Sequence, residues 1–514
     1  VADVVVVGAG AAGCVIANRV SEGDRSVLLL EAGPDYPDPA ELPADLANGR
    51  HNSMTAHDWG YYHKPTTQQV VFPLPRGRVV GGSTAVNTCI ALRGHAYDYD
   101  EWAEMGLEDW SWAQCLPAFL RLERDLDFGD REYHGASGPL PLRRHRPEEM
   151  APWQAAFLEA GLELGFPWCE DSNAPGSHGV GPHAMNKLDN RRISAAEAWL
   201  TPDVRSREGF TLRADTHVRR VLFDARKRVS AVEVERYGRV ETLPTSQVVL
   251  SAGAIATPGI LLRSGVGPRA DVERIGVELV ADNPGVGSRL LDHPGSAIFF
   301  VPRYQHLVPS YSHPVIQGVI RYRSALRSLP DTDMQLQAGS MLAIQVKRRT
   351  VKLPLVSLMA PVGKPRGVGR IRYLSADPHA KPRVESMLLE DPRDRAQAIE
   401  AMQLCGRLAG TKALRKLARP VWPSRKTLDD FSKASDWIRK STDSGYHPSG
   451  TVPMGPDSDP MAACDGRGRV RGVKGLVVAD ASLMPTIPSS NINIPTLMMG
   501  ERFGAWLRDN AIEL

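Results

Sequence analysis

Four consecutive valines, Val4 to Val7, stand behind Asp3 with no polar alternation, the pattern of a strand buried on both faces of a parallel sheet. The run leads into Gly8-Ala9-Gly10-Ala11-Ala12-Gly13 and then a small-residue helical stretch, Cys14 to Val20. Ser26 to Leu30 forms a second apolar strand that ends at Glu31. Strand, glycine turn, helix and strand fit within about 30 residues, as a dinucleotide-binding unit requires. One glycine makes the tight turn, one lets the backbone approach a pyrophosphate, and one lets the helix pack close to the strand. Glu31 is placed to accept hydrogen bonds from an adenosine ribose and disfavours a 2′-phosphate there. That argues against NADP and leaves FAD or NAD open.

Further along, the pattern changes. Pro34 to Asp58 is a long polar, proline-rich excursion of the kind that often carries function. Asp100 to Leu126 reads as mixed helical segments, and Pro152 to Leu164 as an amphipathic helix stopped at Gly165. Phe210 to Asp224, Val229 to Tyr237 and Gln247 to Ser251 read as strands. Ile298 to Arg323 and Asp333 to Ala360 alternate loosely, as strands of a second sheet do. Asp391 to Leu417 predicts helices, and Leu476 to Ala479 a buried strand entering a loop.

Composition narrows the class without naming it. The chain has 514 residues, enough for about two to four units with their own cores. Lys and Arg total 62 against 59 for Asp and Glu, so a net charge of +3 gives no overall basic footprint for nucleic acid. No apolar stretch reaches the ~18 residues of a membrane span, and no secretory leader is visible. Six scattered cysteines (Cys14, Cys89, Cys115, Cys169, Cys405, Cys464) contain no CxxC pair, which predicts reduced thiols, no metal site and a cytoplasmic location. The basic run Lys347-Arg348-Arg349 with Lys352 reads as a solvated face.

Three more segments are specific. Gly77 to Asn87 (GRVVGGSTAVN) is a glycine-rich turn followed by small polar residues suited to an anion or a polar ring. Gly253 to Gly267 has Pro258 where a helix start is expected and glycine at its end. The last region carries Tyr446-His447-Pro448 and then Asn491-Ile492-Asn493-Ile494-Pro495-Thr496.

With these segments in hand, the chain resembles the glucose–methanol–choline (GMC) family of flavin oxidoreductases. Both glycine-rich stretches match that family's signatures. Glu31-Ala32-Gly33, Asp58-Trp59-Gly60-Tyr61, Arg93-Gly94, Asp292-His293-Pro294 and Asp480-Ala481-Ser482 follow in the family's order, from Val4 to Ala505. The resemblance implies an α/β fold: a Rossmann-like FAD-binding domain (residues 1–150, 195–290 and 442–514) with a discontinuous α+β substrate-binding domain on an antiparallel sheet (151–194 and 291–441). It implies extended FAD, with Gly8, Gly10, Ala11, Ala12, Gly13, Glu31 and Ala32 around the pyrophosphate and ribose. Arg78, Gly81, Gly82, Asn87 and Cys89 would follow along the cofactor toward its ring, and Val218 would meet the adenine through its backbone, with Ala252 nearby. Asp480, Ala481, Asn491 and Thr496 would meet the flavin from the other side. Val86 stands where some relatives carry a histidine bonded to the flavin, so the FAD here is expected to be non-covalent.

The chemistry explains the residue types at 447 and 491. Oxidising an alcohol removes a hydroxyl proton and a hydride, and a neutral imidazole suits the first task near neutral pH. His447 is the expected base, and Asn491 the donor that steadies the substrate oxygen. Tyr446 is a pocket candidate, His293 is expected to be structural, and His134 carries no expectation of a role. Ile298, Phe299, Phe300, Val315, Met341, Leu342 and Leu355 read either as an apolar substrate wall or, for most of them, as core. The resulting expectation is oxidation of a primary or activated alcohol (aryl, furan, aliphatic or glycoside), with electrons passed to O₂ or to a quinone or dye. The alternatives are a hydroxynitrile-lyase-like enzyme, a fatty-acid photodecarboxylase of the same family, and an NAD-dependent Rossmann enzyme. Oligomeric state is left open.

Overall fold

The computed structural model of the chain describes residues 2–326, 332–346 and 349–512. The basic run at 347–349 with Lys352, and Leu342, fall outside the described residues or side chains. The valine run is the central strand of a five-stranded parallel sheet. Val27–Leu30 and Phe210–Arg213 lie on one side of it, and Val248–Leu250 and Leu476–Val478 on the other. Register pairs Val7 with both Leu30 and Leu250, and Leu250 with Val478, so the carboxyl ends of four strands are level. Open α/β sheets bind their ligands at that edge.

The helix Ala11–Val20 crosses the carboxy-terminal helix Asn493–Arg508 at very short range. A Cβ on Gly500 would lie 3.0 Å from the Ala12 Cα, and one on Gly504 2.6 Å from the Arg19 Cβ. Beside this crossing Arg19 pairs with the fully buried Glu501 at 2.8 Å, and the Trp199 indole donates to the same carboxylate. The pair is doubly hydrogen-bonded, which is what keeps a buried charge tolerable.

Much of the alternation read from Ile298 onward forms the second sheet; residues 303–317 connect its strands, and Leu342–Val346 pairs with Arg349–Leu353 in a separate hairpin. The strands of the sheet run in the order Ala418–Trp422, Pro294–Pro302, Val356–Pro361, Met334–Gly339, Gly318–Tyr322 and Gly179–Pro182, each antiparallel to its neighbours. Pro294–Pro302 alternates buried and half-buried along its length, the two-residue period of a strand with one face on a core. Helices Pro152–Glu163 and Pro392–Ala409 cover that face with Trp153, Phe157, Ile399 and Met402. Of the two readings of the apolar residues from Ile298 to Leu355, the substrate wall does not hold: none whose side chain is described lines the cleft described below. Ile298 and Phe300 are buried in this core, and Phe299 stacks on Trp422. Val315 packs against Ile90, Leu92 and Met185, and neither Met341 nor Leu355 reaches the cleft described below.

A second correction concerns Pro258. It lies inside the helix Gly253–Arg263 rather than at its start. An internal proline leaves the carbonyl four residues earlier without its donor. Here that carbonyl belongs to Ala254, and the buried Thr451 hydroxyl donates to it at 2.7 Å. Tertiary structure supplies the missing hydrogen bond, so the helix continues. Asp480 caps its first turn, accepting from the Gly253 N–H at 2.8 Å and the Thr257 hydroxyl at 2.7 Å.

Candidate active site

A single long cleft opens at the level carboxyl edge of the parallel sheet and reaches the foot of the antiparallel one. The glycine turn forms part of its floor. Gly8 has φ +97, and a Cβ there would sit 2.6 Å from the Ser251 carbonyl oxygen, so only glycine fits. A Cβ on Gly13 would lie 1.9 Å from the Gly8 carbonyl oxygen, which fixes how closely helix meets strand. Gly10 differs: nothing lies within 4 Å of its added Cβ, which would point into open cleft. The helix beginning at Ala11 presents first-turn N–H groups to that space, and such groups have no partner within a helix. Glycine floor and first-turn amides together could hold a phosphate.

Glu31 lies at the end of the second strand. One carboxylate oxygen accepts from the Ala9 N–H and the other from the Gly33 N–H, both at 2.9 Å. Burial pushes this carboxyl up to about 7, against the lowering effect of those two amides. Each oxygen keeps a lone pair for a ribose hydroxyl. Trp59, Tyr61, His217, Arg263 and Lys381 surround the same end, with the Lys381 ammonium 5.5 Å from the Trp59 ring centre and 5.1 Å from that of Tyr61. None of these five was singled out for a role by sequence reasoning. Only Trp59 and Tyr61 had a signal, in the Asp-Trp-Gly-Tyr motif.

Of the residues expected around the cofactor, Gly8, Gly10, Ala11, Ala12, Glu31, Ala32, Arg78, Gly82, Asn87, Val218, Ala252, Asp480, Ala481, Asn491 and Thr496 line the cleft. Tyr446, His447 and Val86 line it too. Gly13, Gly81 and Cys89 do not. Gly13 acts through the helix packing above. The Gly81 N–H donates to the Ala9 carbonyl at 2.7 Å, tying the two glycine turns together from behind. Cys89, at φ +64, is fully buried and packs with Ile90, Leu92 and Met185, outside the cleft lining.

The other end of the cleft holds the candidate chemistry. Pro294 and Gly295 open one strand of the antiparallel sheet and pair with Ser444 and Asp443, which brings His293 beside His447. His447 Nδ1 lies 2.8 Å from His293 Nδ1, and its Nε2 3.1 Å from Asn491 Nδ2. Asp292 holds both histidine backbones, accepting from the His293 N–H at 2.8 Å and the His447 N–H at 3.0 Å. Tyr446 sits at φ +62, a left-handed conformation that bulky residues rarely adopt, with its N–H donating to the Ser444 hydroxyl at 2.7 Å. Burial, then the neighbouring His293 and the Arg76 guanidinium, hold His447 well below the ordinary histidine value. His447 is therefore neutral near pH 7, with a lone pair available.

Two buried polar atoms here have no partner among the described residues: Asn491 Oδ1 and, in the adjoining helix, Asn493 Nδ2. Buried polar groups rarely go unmet. A ring carrying both donors and acceptors would satisfy them. With the open face of Gly10 and the Glu31 carboxylate, the cleft suits a flavin dinucleotide along its whole length.

His134 belongs to a different arrangement. It lies with Glu123 and Asp125, and the three ligand-type atoms are close enough to hold an ion. Two guanidiniums already occupy that role: Arg93 bonds Glu123, and Arg144 bonds Asp125 and Asp171. His134 bridges Glu123 and Asp171 at 2.8 Å each. This is a buried ion-pair network supporting the fold, away from the cleft.

Known proteins resemble this chain over nearly its whole length. The GMC oxidoreductase family matches residues 2–295 with its amino-terminal part and residues 365–500 with its carboxy-terminal part. An oxygen-dependent choline dehydrogenase from Photobacterium profundum is 33% identical over 528 residues, covering 97% of this chain and 92% of that protein. A 5-(hydroxymethyl)furfural oxidase from a Methylovorus species is 32% identical over 526 residues, covering 97% of each. Among solved structures, pyridoxine 4-oxidase from Mesorbium loti superposes with a TM-score of 0.89 at 29% identity, covering 98% of both chains.

Proposed function

This chain belongs to the GMC oxidoreductase family, whose cofactor is FAD, and from that premise we propose that it oxidises a primary or activated alcohol to the carbonyl with His447 as base. The observation that carries the proposal is the cleft-facing contact of 3.1 Å between His447 Nε2 and the Asn491 amide nitrogen. A hydroxyl that takes the place of the Asn491 amide hydrogen at Nε2 meets the imidazole lone pair with its proton. Its oxygen accepts from the Asn491 amide so released, which stabilises the negative charge that develops as the proton leaves. Bound FAD supplies the two-electron acceptor for the hydride leaving the alcohol carbon. Gly8, Gly10, Ala11, Ala12, Gly82 and Glu31 would hold its phosphates and ribose, while Asn87, Asp480, Ala481, Asn493 and Thr496 would frame its ring. Val86 lines the cleft without a nucleophilic atom, so the cofactor is held non-covalently and comes free when the protein is precipitated with acid.

Charge in the cleft bears on the substrate. Its lining carboxylates are Glu31, engaged by backbone amides, and Asp480, engaged by Gly253, Thr257 and Ser482. Among the described lining residues, the cation acting on His447 is Arg76. That setting suits a neutral alcohol better than a quaternary ammonium. Two of the relatives named above are oxidases of hydroxymethyl-bearing rings, which favours an aryl or heteroaryl hydroxymethyl compound. Electrons then pass to O₂ or to a quinone-type acceptor.

An anaerobic absorbance titration of the purified flavoprotein with benzyl alcohol, 5-(hydroxymethyl)furfural, pyridoxine, hexanol, glucose and choline tests this. Bleaching by a ring-bearing alcohol, reversed by air or by a quinone dye, is the expected result. A flavin that none of the six bleaches contradicts it and favours non-redox lyase chemistry or photodecarboxylation.

A further inference from the structure

We infer that His293 is the positioning residue that holds His447 in the one tautomer able to take the substrate proton. The inference rests on His447 being the base. It begins, however, from a hydrogen-bond sequence that is independent of any substrate.

His293 Nε2 faces two backbone carbonyls, Gly363 O at 2.9 Å and Pro488 O at 3.0 Å. Carbonyl oxygens only accept, so Nε2 must carry a hydrogen. Burial holds His293 down at about 4, so at neutral pH the ring has one hydrogen in all, and its Nδ1 is a bare acceptor. His447 Nδ1, at 2.8 Å, must then be the donor. A neutral His447 with its hydrogen on Nδ1 has its lone pair on Nε2, the nitrogen that faces Asn491 and the cleft.

Asn491 cannot make this choice by itself. Its amide donates to a bare Nε2 in one orientation and, flipped, accepts from a protonated Nε2 in the other. The two carbonyls behind His293 have no such freedom. Their lone pairs fix His293, and His293 fixes His447. Gly445 belongs to the same device: a Cβ there would lie 3.0 Å from His447 Nδ1 and 3.2 Å from the His293 Cβ, so the imidazole contact needs a bare backbone beside it.

His293 does not itself receive the proton. Its low basicity leaves the charge on His447 after proton transfer, with the Nδ1–H still donated to His293. The arrangement parallels a general rule for catalytic imidazoles, that a second group sets which nitrogen is the base, and a wrong tautomer costs up to about 10⁴ in rate. Here the second group is a neutral imidazole pinned by backbone rather than a carboxylate.

The test reads the tautomer directly. The holoenzyme is labelled with ¹⁵N-histidine and compared by NMR with His447→Gln, whose missing signals assign His447. The expected wild-type result near pH 7 is a protonated Nδ1 and an unprotonated Nε2 at position 447. His293→Asn keeps an acceptor oxygen near the place of His293 Nδ1 and preserves that pattern. His293→Leu removes the acceptor and moves the hydrogen toward Nε2. With whichever alcohol bleaches the flavin, kcat then falls at least ~10-fold in the Leu variant, KM stays within ~3-fold, and the Asn variant recovers most of the rate. An unprotonated Nδ1 in the wild type overturns the inference even if both variants fail to fold. So does an unchanged His447 tautomer in a flavin-loaded Leu variant. Neither outcome depends on the alcohol reading, which the absorbance titration decides separately.

Discussion

Gly10 and Gly13 share one turn yet answer to different requirements. The Gly10 position opens into the cleft, whereas the Gly13 position faces the Gly8 carbonyl oxygen at 1.9 Å. Gly10→Val is therefore expected to fold normally and lose FAD, because its side chain occupies the proposed phosphate cradle. Gly13→Ala is expected to destabilise the sheet–helix contact itself, with or without cofactor, by several kcal/mol or to the point of insolubility. Flavin-to-protein absorbance ratio and thermal unfolding of both variants separate the two effects, and a Gly13→Ala protein of normal stability would refute the assignment. The spacing of these glycines was readable in the chain because the turn is local, and His447 with Asn491 was readable because both sit in distinctive motifs. His293 was visible only as part of Asp-His-Pro, with nothing to show that its ring meets His447. Lys381 carried no signal at all: its contact with Trp59 joins segments that only the folded chain brings together.

At the scale of elements, the helix Gly253–Arg263 shows what pattern reading can and cannot supply. A proline near a glycine-rich stretch reads as a helix start by ordinary preference. Its actual interior position depends on Thr451, nearly 200 residues away, whose hydroxyl serves the carbonyl that Pro258 leaves without a donor. Thr451→Val keeps the shape and strands that carbonyl, at a cost of about 1–3 kcal/mol. In a Pro258→Ala background the helix supplies its own donor, and the same substitution is expected to cost about 1 kcal/mol less. Equal losses in both backgrounds, measured by denaturant unfolding, would mean the hydroxyl does something else. The apolar residues from Ile298 to Leu355 pose the opposite problem. Alternation marks Ile298 to Phe300 as strand, whereas Val315, Met341 and Leu355 lie between strands, and a buried core face and a substrate wall look the same in sequence.

For the whole molecule, the parallel sheet brings the proposed cofactor cradle and the antiparallel sheet brings His293, and the proposed catalytic residues meet where the two adjoin. Burial there and elsewhere leaves several histidines neutral. His183 and His293 are held at about 3 and about 4, and His95 well below its usual value, all by burial. His134 moves the other way, raised by Asp171 and Glu123 against burial. The three depressed rings and three others held low, His145, His217 and His447, refuse protons that the unfolded chain binds below about pH 6.5, so stability falls as pH drops from there toward 4. Each ring contributes up to about 1.4 kcal/mol per pH unit across that window. His134 contributes the opposite sign, with stabilisation fully present below its unfolded value, and so does Glu31, whose carboxyl is raised to about 7. The expected net result is a falling unfolding temperature between pH 6.5 and 5, and a rising one would contradict this balance.

In the proposed reaction neutral His447, with its Nε2 lone pair facing Asn491, takes the alcohol proton. Anaerobic stopped-flow reduction of the bound flavin by the best alcohol, in wild type and His447→Gln, tests it most directly. The account predicts a loss of about 10²–10⁴-fold in the reduction rate of a variant that still binds FAD with an unchanged spectrum. It also predicts a wild-type rate that stays level from pH 8 down through 6.5, since the base is held well below the ordinary histidine value. A Gln variant that reduces its flavin within threefold of wild type would contradict the account.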